Sequence, residues 1–270
     1  MTPSATPSGL SPTPPSDSRP PDRATLPDLR SSGSKPPSTG ATGPNVPTTS
    51  PGPNASIGLE SLVSPAPDFP PPTTSALPRL GVLASGSGTN FGAIMEAIEA
   101  GQLAAEVPVL IYNQPTAPVL QRAQQWQVPA QLIHHRDYTD RESFDAAIVR
   151  ALQAAQVNWV IMAGWMRIVT PVLIAAFPQR IVNIHPSLLP SFKGIRAVEQ
   201  ALAAQVKITG CTVHLVVPEV DSGPILMQAA VPILPEDTSD SLHARIQVQE
   251  HRILPAAIAQ ALAQTRPATP

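Results

Sequence analysis

The sequence predicts an α/β fold in which a mostly parallel central sheet carries flanking helices and ends in a carboxy-terminal antiparallel hairpin. Three observations predict it. Short apolar runs of strand length alternate with segments whose apolar residues recur at helical spacing. The first of these runs, Arg79 to Ala84, passes through a glycine-rich turn directly into a helix. Late in the chain, two long apolar runs, Ile208 to Val217 and Ile225 to Ile233, are separated only by the turn Pro218 to Pro224, which suits a hairpin.

Composition bounds the fold before any element is placed. More than half of the 35 prolines precede Arg79, mixed with Ser, Thr and Gly. Such a stretch buries too little apolar surface to offset its ordering entropy, so residues 1–77 read as a disordered leader, 78–264 as the folded domain and 265–270 as a loose tail. A net charge of −2 gives no electrostatic case for nucleic acid or an anionic membrane. The single cysteine, Cys211, rules out an intramolecular disulfide framework and sits in an apolar run as a buried thiol. There is no membrane-spanning apolar run and no charged start followed by an apolar stretch, so a cytoplasmic protein is expected.

In chain order, Arg79–Ala84 is a strand. Ser85-Gly-Ser-Gly-Thr-Asn90 follows, then a helix from Phe91. Strand, glycine-rich turn and helix form a phosphate-binding arrangement, since glycine lets backbone approach an anion and first-turn amides point at it. The spacing is neither that of the dinucleotide fingerprint nor that of the P-loop, and a tight structural turn accounts for it equally well. Val107–Tyr112 and Pro129–Ile133 are strands around a helix at Ala117–Gln125. His134 and His135 are adjacent, so on an extended chain they face opposite ways, and no metal site is expected there. Asp140–Ala155 is an acid-started helix with Phe144, Ile148 and Leu152 on its core face. Asn158–Met162 is the fourth strand, followed by Ala163-Gly-Trp-Met-Arg-Ile-Val169, in which Trp165 and Met166 read first as core residues. Thr170-Pro171 opens a short helix.

Arg180-Ile-Val then leads into Asn183-Ile-His185-Pro-Ser-Leu-Leu-Pro-Ser-Phe-Lys-Gly194. Strand periodicity puts the Asn183 amide and the His185 imidazole side by side where strand becomes loop, the usual place for ligand chemistry in such sheets. Taken alone, Asn-x-His reads more readily as a polar strand end with a structural histidine. Gly194–Ala203 is read as a helix. His214, flanked by apolar residues, reads as a hydrogen-bonded core histidine, and Asp221 before Ser-Gly as a turn former. The last helix opens at Asp237-Thr-Ser-Asp240, with Leu242, Ile246, Val248, Ile253 and Leu254 expected inside and Glu250 readable as a solvated carboxylate.

The run from Asn183 to Gly194, with the downstream acid, resembles the active-site segment of the 10-formyltetrahydrofolate-dependent formyltransferases, and the similarity spans residues 79 to about 260. The resemblance implies the formyltransferase-type, Rossmann-like version of the fold above. It further implies transfer of a formyl group from 10-formyltetrahydrofolate, as co-substrate and without a metal, to the amine of phosphoribosylglycinamide in purine synthesis. It carries catalytic roles onto Asn183, His185 and Asp221, and substrate phosphate and ribose contacts onto Gly88, Thr89, Asn90, Gln247 and Glu250. Folate contacts fall on Arg141, Met166, Arg167, Ile168, Val169, Val217, Val220, Asn183 and Asp221.

Attack by an amine on a formyl carbonyl generates an oxyanion, which Asn183 and a charged His185 would stabilise. A carboxylate beside the ring favours its charged form, the part assigned to Asp221. Formyltetrahydrofolate deformylase is the alternative with the same trio, but its amino-terminal regulatory domain has no counterpart in the leader. A tRNA-directed relative would carry a further carboxy-terminal domain and a basic surface. A non-catalytic folate- or nucleotide-binding protein, with the proline-rich leader as docking segment, is the alternative of a different class. Ile195 to Val198 departs from relatives that carry a histidine in place of Val198.

Overall fold

A computed structural model describes residues 62–71 and 76–264; the rest of the expected leader and the expected tail, 265–270, lie outside the described residues. All described residues fall within one compact unit, 55–270. Strands β1 (Val63–Ser64), β2 (Arg79–Ala84), β3 (Glu106–Tyr112), β4 (Ala130–Leu132), β5 (Trp159–Met162), β6 (Ile181–His185), β7 (Ile208–Leu215) and β8 (Ile225–Pro232) form one eight-stranded sheet in the order β1-β8-β7-β6-β5-β2-β3-β4. From β6 through β5, β2 and β3 to β4 every pairing is parallel. Beyond β6 every pairing is antiparallel. The mostly parallel sheet with its terminal hairpin is therefore as the sequence predicts.

Helices α1 (Thr89–Glu99), α2 (Val119–Gln125), α3 (Arg141–Ala154), α4 (Pro171–Ala176), α5 (Ala197–Ala203) and α6 (Ser239–Gln264) cover the two faces. Side chains alternate across β2: Leu80 and Val82 join a core with Phe91 and Ile94 of α1 and Leu254 and Ile258 of α6. Leu83 turns the other way, toward Phe144, Ile148 and Leu152 of α3. Full burial of a Leu or Ile in such a layer contributes about 1.5–3 kcal/mol. α3 starts where its sequence says it should, because the Asp140 carboxylate accepts from Ser143 N at 2.6 Å. Thr170 does the same for α4, with Pro171 at its first turn.

Three expectations are corrected. Residues 63 and 64, inside the segment expected to lack structure, form β1 against β8, because Val63 and Phe69 find apolar partners in the main core. α5 begins at Ala197, not at Gly194, since Gly194 and Arg196 adopt positive φ (78° and 60°) and interrupt the helix. Val248 is 62 % exposed, because the neighbouring Gln247 and Glu250 are the residues of that turn that face α1.

Candidate active site

The carboxyl ends of β2, β5 and β6 lie side by side, with Leu83, Met162 and Asn183 in register across them. Adjacent strands are about 4.8 Å apart. From β2 the chain goes to β3 and β4 on one side and later to β5 and β6 on the other, so this edge is the sheet's switch point. Topology thereby gathers the glycine-rich turn, the Trp165–Val169 stretch and the Asn183–Gly194 loop at one edge. Two hydrogen bonds fasten the first pair: Ser85 N donates to Gly164 O (3.1 Å) and Met166 N to Ser85 Oγ (2.9 Å).

His185 ends β6 and is buried, with both ring nitrogens engaged. Nδ1 lies 3.4 Å from Asp221 Oδ2, and Nε2 lies 2.8 Å from the Phe192 carbonyl oxygen. A carbonyl only accepts, so Nε2 carries a proton, and a proton on Nδ1 as well makes the ring a cation between two acceptors. Asp221 arrives from the β7–β8 turn at φ 49°, a left-handed conformation that Asp tolerates. Its Oδ2 also accepts from Gly194 N at 2.8 Å. Burial pushes the Asp221 carboxyl up, but a hydrogen bond from His214, the Gly194 amide and the charge of the two imidazoles outweigh it. The acid is held below its ordinary range.

The sequence reading missed one member of this cluster. His214 stands directly opposite Asn183 on β7, with Nε2 3.1 Å from Asn183 Nδ2 and 3.6 Å from Asp221 Oδ1, while Nδ1 lies 2.9 Å from Leu215 O. An amide nitrogen only donates and a carboxylate only accepts, so Nε2 serves them one at a time. With Nε2 unprotonated the ring accepts from Asn183, the shorter contact, and fixes which way round the amide sits; with Nε2 protonated it donates to Asp221 Oδ1, the bond that helps hold that acid low. Asn183 is half-buried, unlike His185, and has a second N–H to offer. The Phe192 carbonyl and the Gly194 amide were missed too; backbone groups leave no mark in residue type.

The glycine-rich turn and α6 meet nearby. Gly88 has φ 71°, and a side chain there would run into Val119, so conformation and space both require glycine. Thr89 Oγ1 accepts from Gln247 Nε2 (3.0 Å), and Asn90 Nδ2 donates to Glu250 Oε2 (2.9 Å). The residues expected to hold phosphate and ribose are thus paired across α1 and α6. Glu250 is not the solvated carboxylate of the simpler reading: it is 4 % exposed, and burial pushes its carboxyl up against the lowering effect of the Asn90 bond. Asn90 Oδ1 is buried without a hydrogen-bond partner.

The expected folate residues divide. Met166, read first as core, is 79 % exposed, and Ile168 and Val220 are also exposed, so they present apolar surface beside the site. Trp165 is buried, as is Val169, which can offer a ligand only backbone. Trp165 stacks on Phe144 (ring centroids 6.1 Å apart), and the Arg167 guanidinium lies 5.5 Å from the Phe144 centroid. Buried Asp145 accepts from Thr170 N at 2.6 Å and anchors the end of this stretch on α3. Val217 is half-buried in the β7–β8 turn, and Arg141 is exposed at the start of α3. His134 and His135 meet edge to face, 5.1 Å apart.

Comparison with known proteins now bears on this geometry. A family profile described as formyl transferase matches residues 78–258. The chain belongs to the formyl transferase family. The matched residues enclose every candidate position from Gly88 to Glu250, whereas β1 lies before them. Among relatives, the chain is 38% identical over 184 residues to phosphoribosylglycinamide formyltransferase of Bacillus subtilis, covering 68% of this chain and 94% of that protein. It is 45% identical over 183 residues to the trifunctional purine biosynthetic protein adenosine-3 of Drosophila melanogaster, covering 67% of this chain but only 14% of that much longer protein. The crystal structure of glycinamide ribonucleotide transformylase 1 from Symbiobacterium toebii superposes with a TM-score of 0.69 at 46% identity, covering 70% of this chain and 89% of that one.

Proposed function

We propose that this formyl transferase moves the formyl group of 10-formyltetrahydrofolate to the amine of phosphoribosylglycinamide, as a cytoplasmic enzyme of purine synthesis. The observation that carries the reading is the convergence of Asn183, His185 and Asp221 at the same sheet edge as the Thr89–Gln247 and Asn90–Glu250 pairs. A catalytic trio and a polar cradle on one edge suit two substrates that must meet.

The amine attacks the formyl carbon, a C–N bond forms, and the carbonyl oxygen becomes an oxyanion. Asn183, oriented by His214, directs an N–H at that oxygen, a contact typically worth about 2.7–4 kcal/mol in the transition state. His185, with Asp221 Oδ2 facing its Nδ1 and Phe192 O occupying its Nε2–H, supplies positive charge beside it when both ring nitrogens carry protons. Collapse breaks the bond from the formyl carbon to the folate nitrogen, which takes up a proton as the amine loses one. No covalent enzyme intermediate is needed, because the amine is itself the nucleophile; Ser187 instead donates to Ser191 O (2.6 Å) and shapes the loop. Met166, Arg167, Ile168 and Val220 line the folate side; Gly88, Thr89, Asn90, Gln247 and Glu250 hold the ribosylglycinamide.

The test is purified protein with 10-formyltetrahydrofolate, followed by folate absorbance with and without phosphoribosylglycinamide. An absorbance change that requires the amine is expected. Release of formate at the same rate without the amine would instead select the deformylase.

A further inference from the structure

We infer that the outer edge of β8 is a strand-acceptor surface, filled in cis by residues 62–64, and that this edge pairs with the same edge of a second copy when the segment is removed. The docking geometry is explicit: Val63 and Ser64 stand opposite Ala229 and Gln228, and Leu62 O accepts from Ala230 N at 2.8 Å. Val63 and Phe69 pack against the main core, so the segment is held by side chains as well as backbone.

The chemistry of β8 explains why it needs a cover. Its sequence, Ile-Leu-Met-Gln-Ala-Ala-Val-Pro, is eight residues long and carries no charge. An uncharged edge of that length presents N–H and C=O groups without the lysines that usually deter edge-to-edge pairing, and its register irregularity against β7 falls at Ile225–Met227, away from the Gln228–Ala230 stretch that residues 62–64 cover. Two such edges related by a twofold axis are self-complementary in antiparallel register, each residue meeting its symmetry mate's counterpart. The cover is built so as not to become a new edge. β1 is only two residues long, and Pro65, Pro67, Pro70 and Pro71 follow it. Proline has no N–H to give to a further strand. The family match begins at residue 78, so the acceptor edge lies within the matched residues and the cover before them.

The experiment is sedimentation velocity across a wide concentration range on the full chain, on a chain starting at Ala76, and on the full-length double variant Val63→Asp/Phe69→Asp. The truncated chain and the double variant are expected to reach a mass near twice that of the full chain at the same concentration. Ala230→Lys, added to either, is expected to return the mass to that of the full chain, because a charge then sits on the acceptor edge. The double variant keeps the test open should truncation unfold the protein. Masses identical to the full chain throughout would overturn the inference, as would self-association that Ala230→Lys leaves unchanged.

Discussion

His185 Nδ1 and Asp221 Oδ2 face each other at 3.4 Å, and the Asp221 carboxylate is at once bound by the Gly194 amide on the loop that His185 begins. One acid therefore both faces the imidazole and fixes the path of the loop that covers it. Replacing it by an isosteric amide separates these roles. Asp221→Asn is expected to lower kcat by about 10² to 10³, the size of losing one transition-state electrostatic partner, while melting within a few degrees of the parent. Steady-state kinetics with thermal melting checks this.

His214→Ala should reduce kcat about tenfold to a hundredfold with little change in either KM, because Asn183 loses the contact that orients its amide without leaving the site. His214→Gln, whose side-chain carbonyl can accept from Asn183, should recover part of the loss. Equal rates for parent and His214→Ala would show that Asn183 needs no orienting partner.

Glu250 links substrate binding to stability. Its folded carboxyl titrates above its ordinary value of 4.5 because burial disfavours the anion. A raised carboxyl contributes stability that is fully present below the unfolded value and is lost as pH rises through the folded one. Glu250→Gln removes that loss while Gln Oε1 can still accept from Asn90. The variant should therefore be more stable than the parent at pH 7, with the advantage vanishing toward pH 4. Its KM for phosphoribosylglycinamide should rise about tenfold or more, that for the folate staying near the parent value. Melting curves at both pH values and the two KM values decide it.

Asp237 marks the opposite sign. Its hydrogen bonds from both Arg245 guanidinium nitrogens (2.6 and 2.8 Å), helped by Leu234 N and Ser241 Oγ, hold it far below the ordinary carboxylate range. A depressed carboxyl contributes stability that is present above its unfolded value, 3.8, and is lost as pH falls through the folded one. Asp237→Ala should cost about 2–4 kcal/mol at neutral pH. The difference from the parent should shrink only below about pH 4, as urea titrations at several pH values would show.

Deletion of residues 2–61 should leave turnover per active site within about twofold of the full chain, since every proposed catalytic residue and β1 remain. Assay at matched concentration tests it.

Much of the fold was legible because strand and helix periods are local properties. Phe144, Ile148 and Leu152 announce the core face of α3, and Asp140 and Thr170 announce the starts of α3 and α4. The Asn183 and His185 pair could be placed at a strand end for the same reason. What sequence could not supply is which strand lies beside which. His214 has the look of a core histidine until β7 is laid against β6, where it meets Asn183; nothing local marks it. β1 was hidden differently: two residues in a proline-rich stretch give no period, and only the open edge of β8 makes them a strand. Met166 misled because an apolar residue after a strand is usually inside, whereas at a binding edge it stays out.

The central claim, that Asn183, His185 and Asp221 act as one unit on one carbonyl, is tested most directly by a double-mutant cycle on kcat/KM for formyl transfer with His185→Ala, Asp221→Ala and the pair together. Groups that work only in concert predict that the double variant is no slower than the worse single variant, each being folded and reduced about a thousandfold. Losses that multiply, or near-parent rates in either single variant, would contradict it.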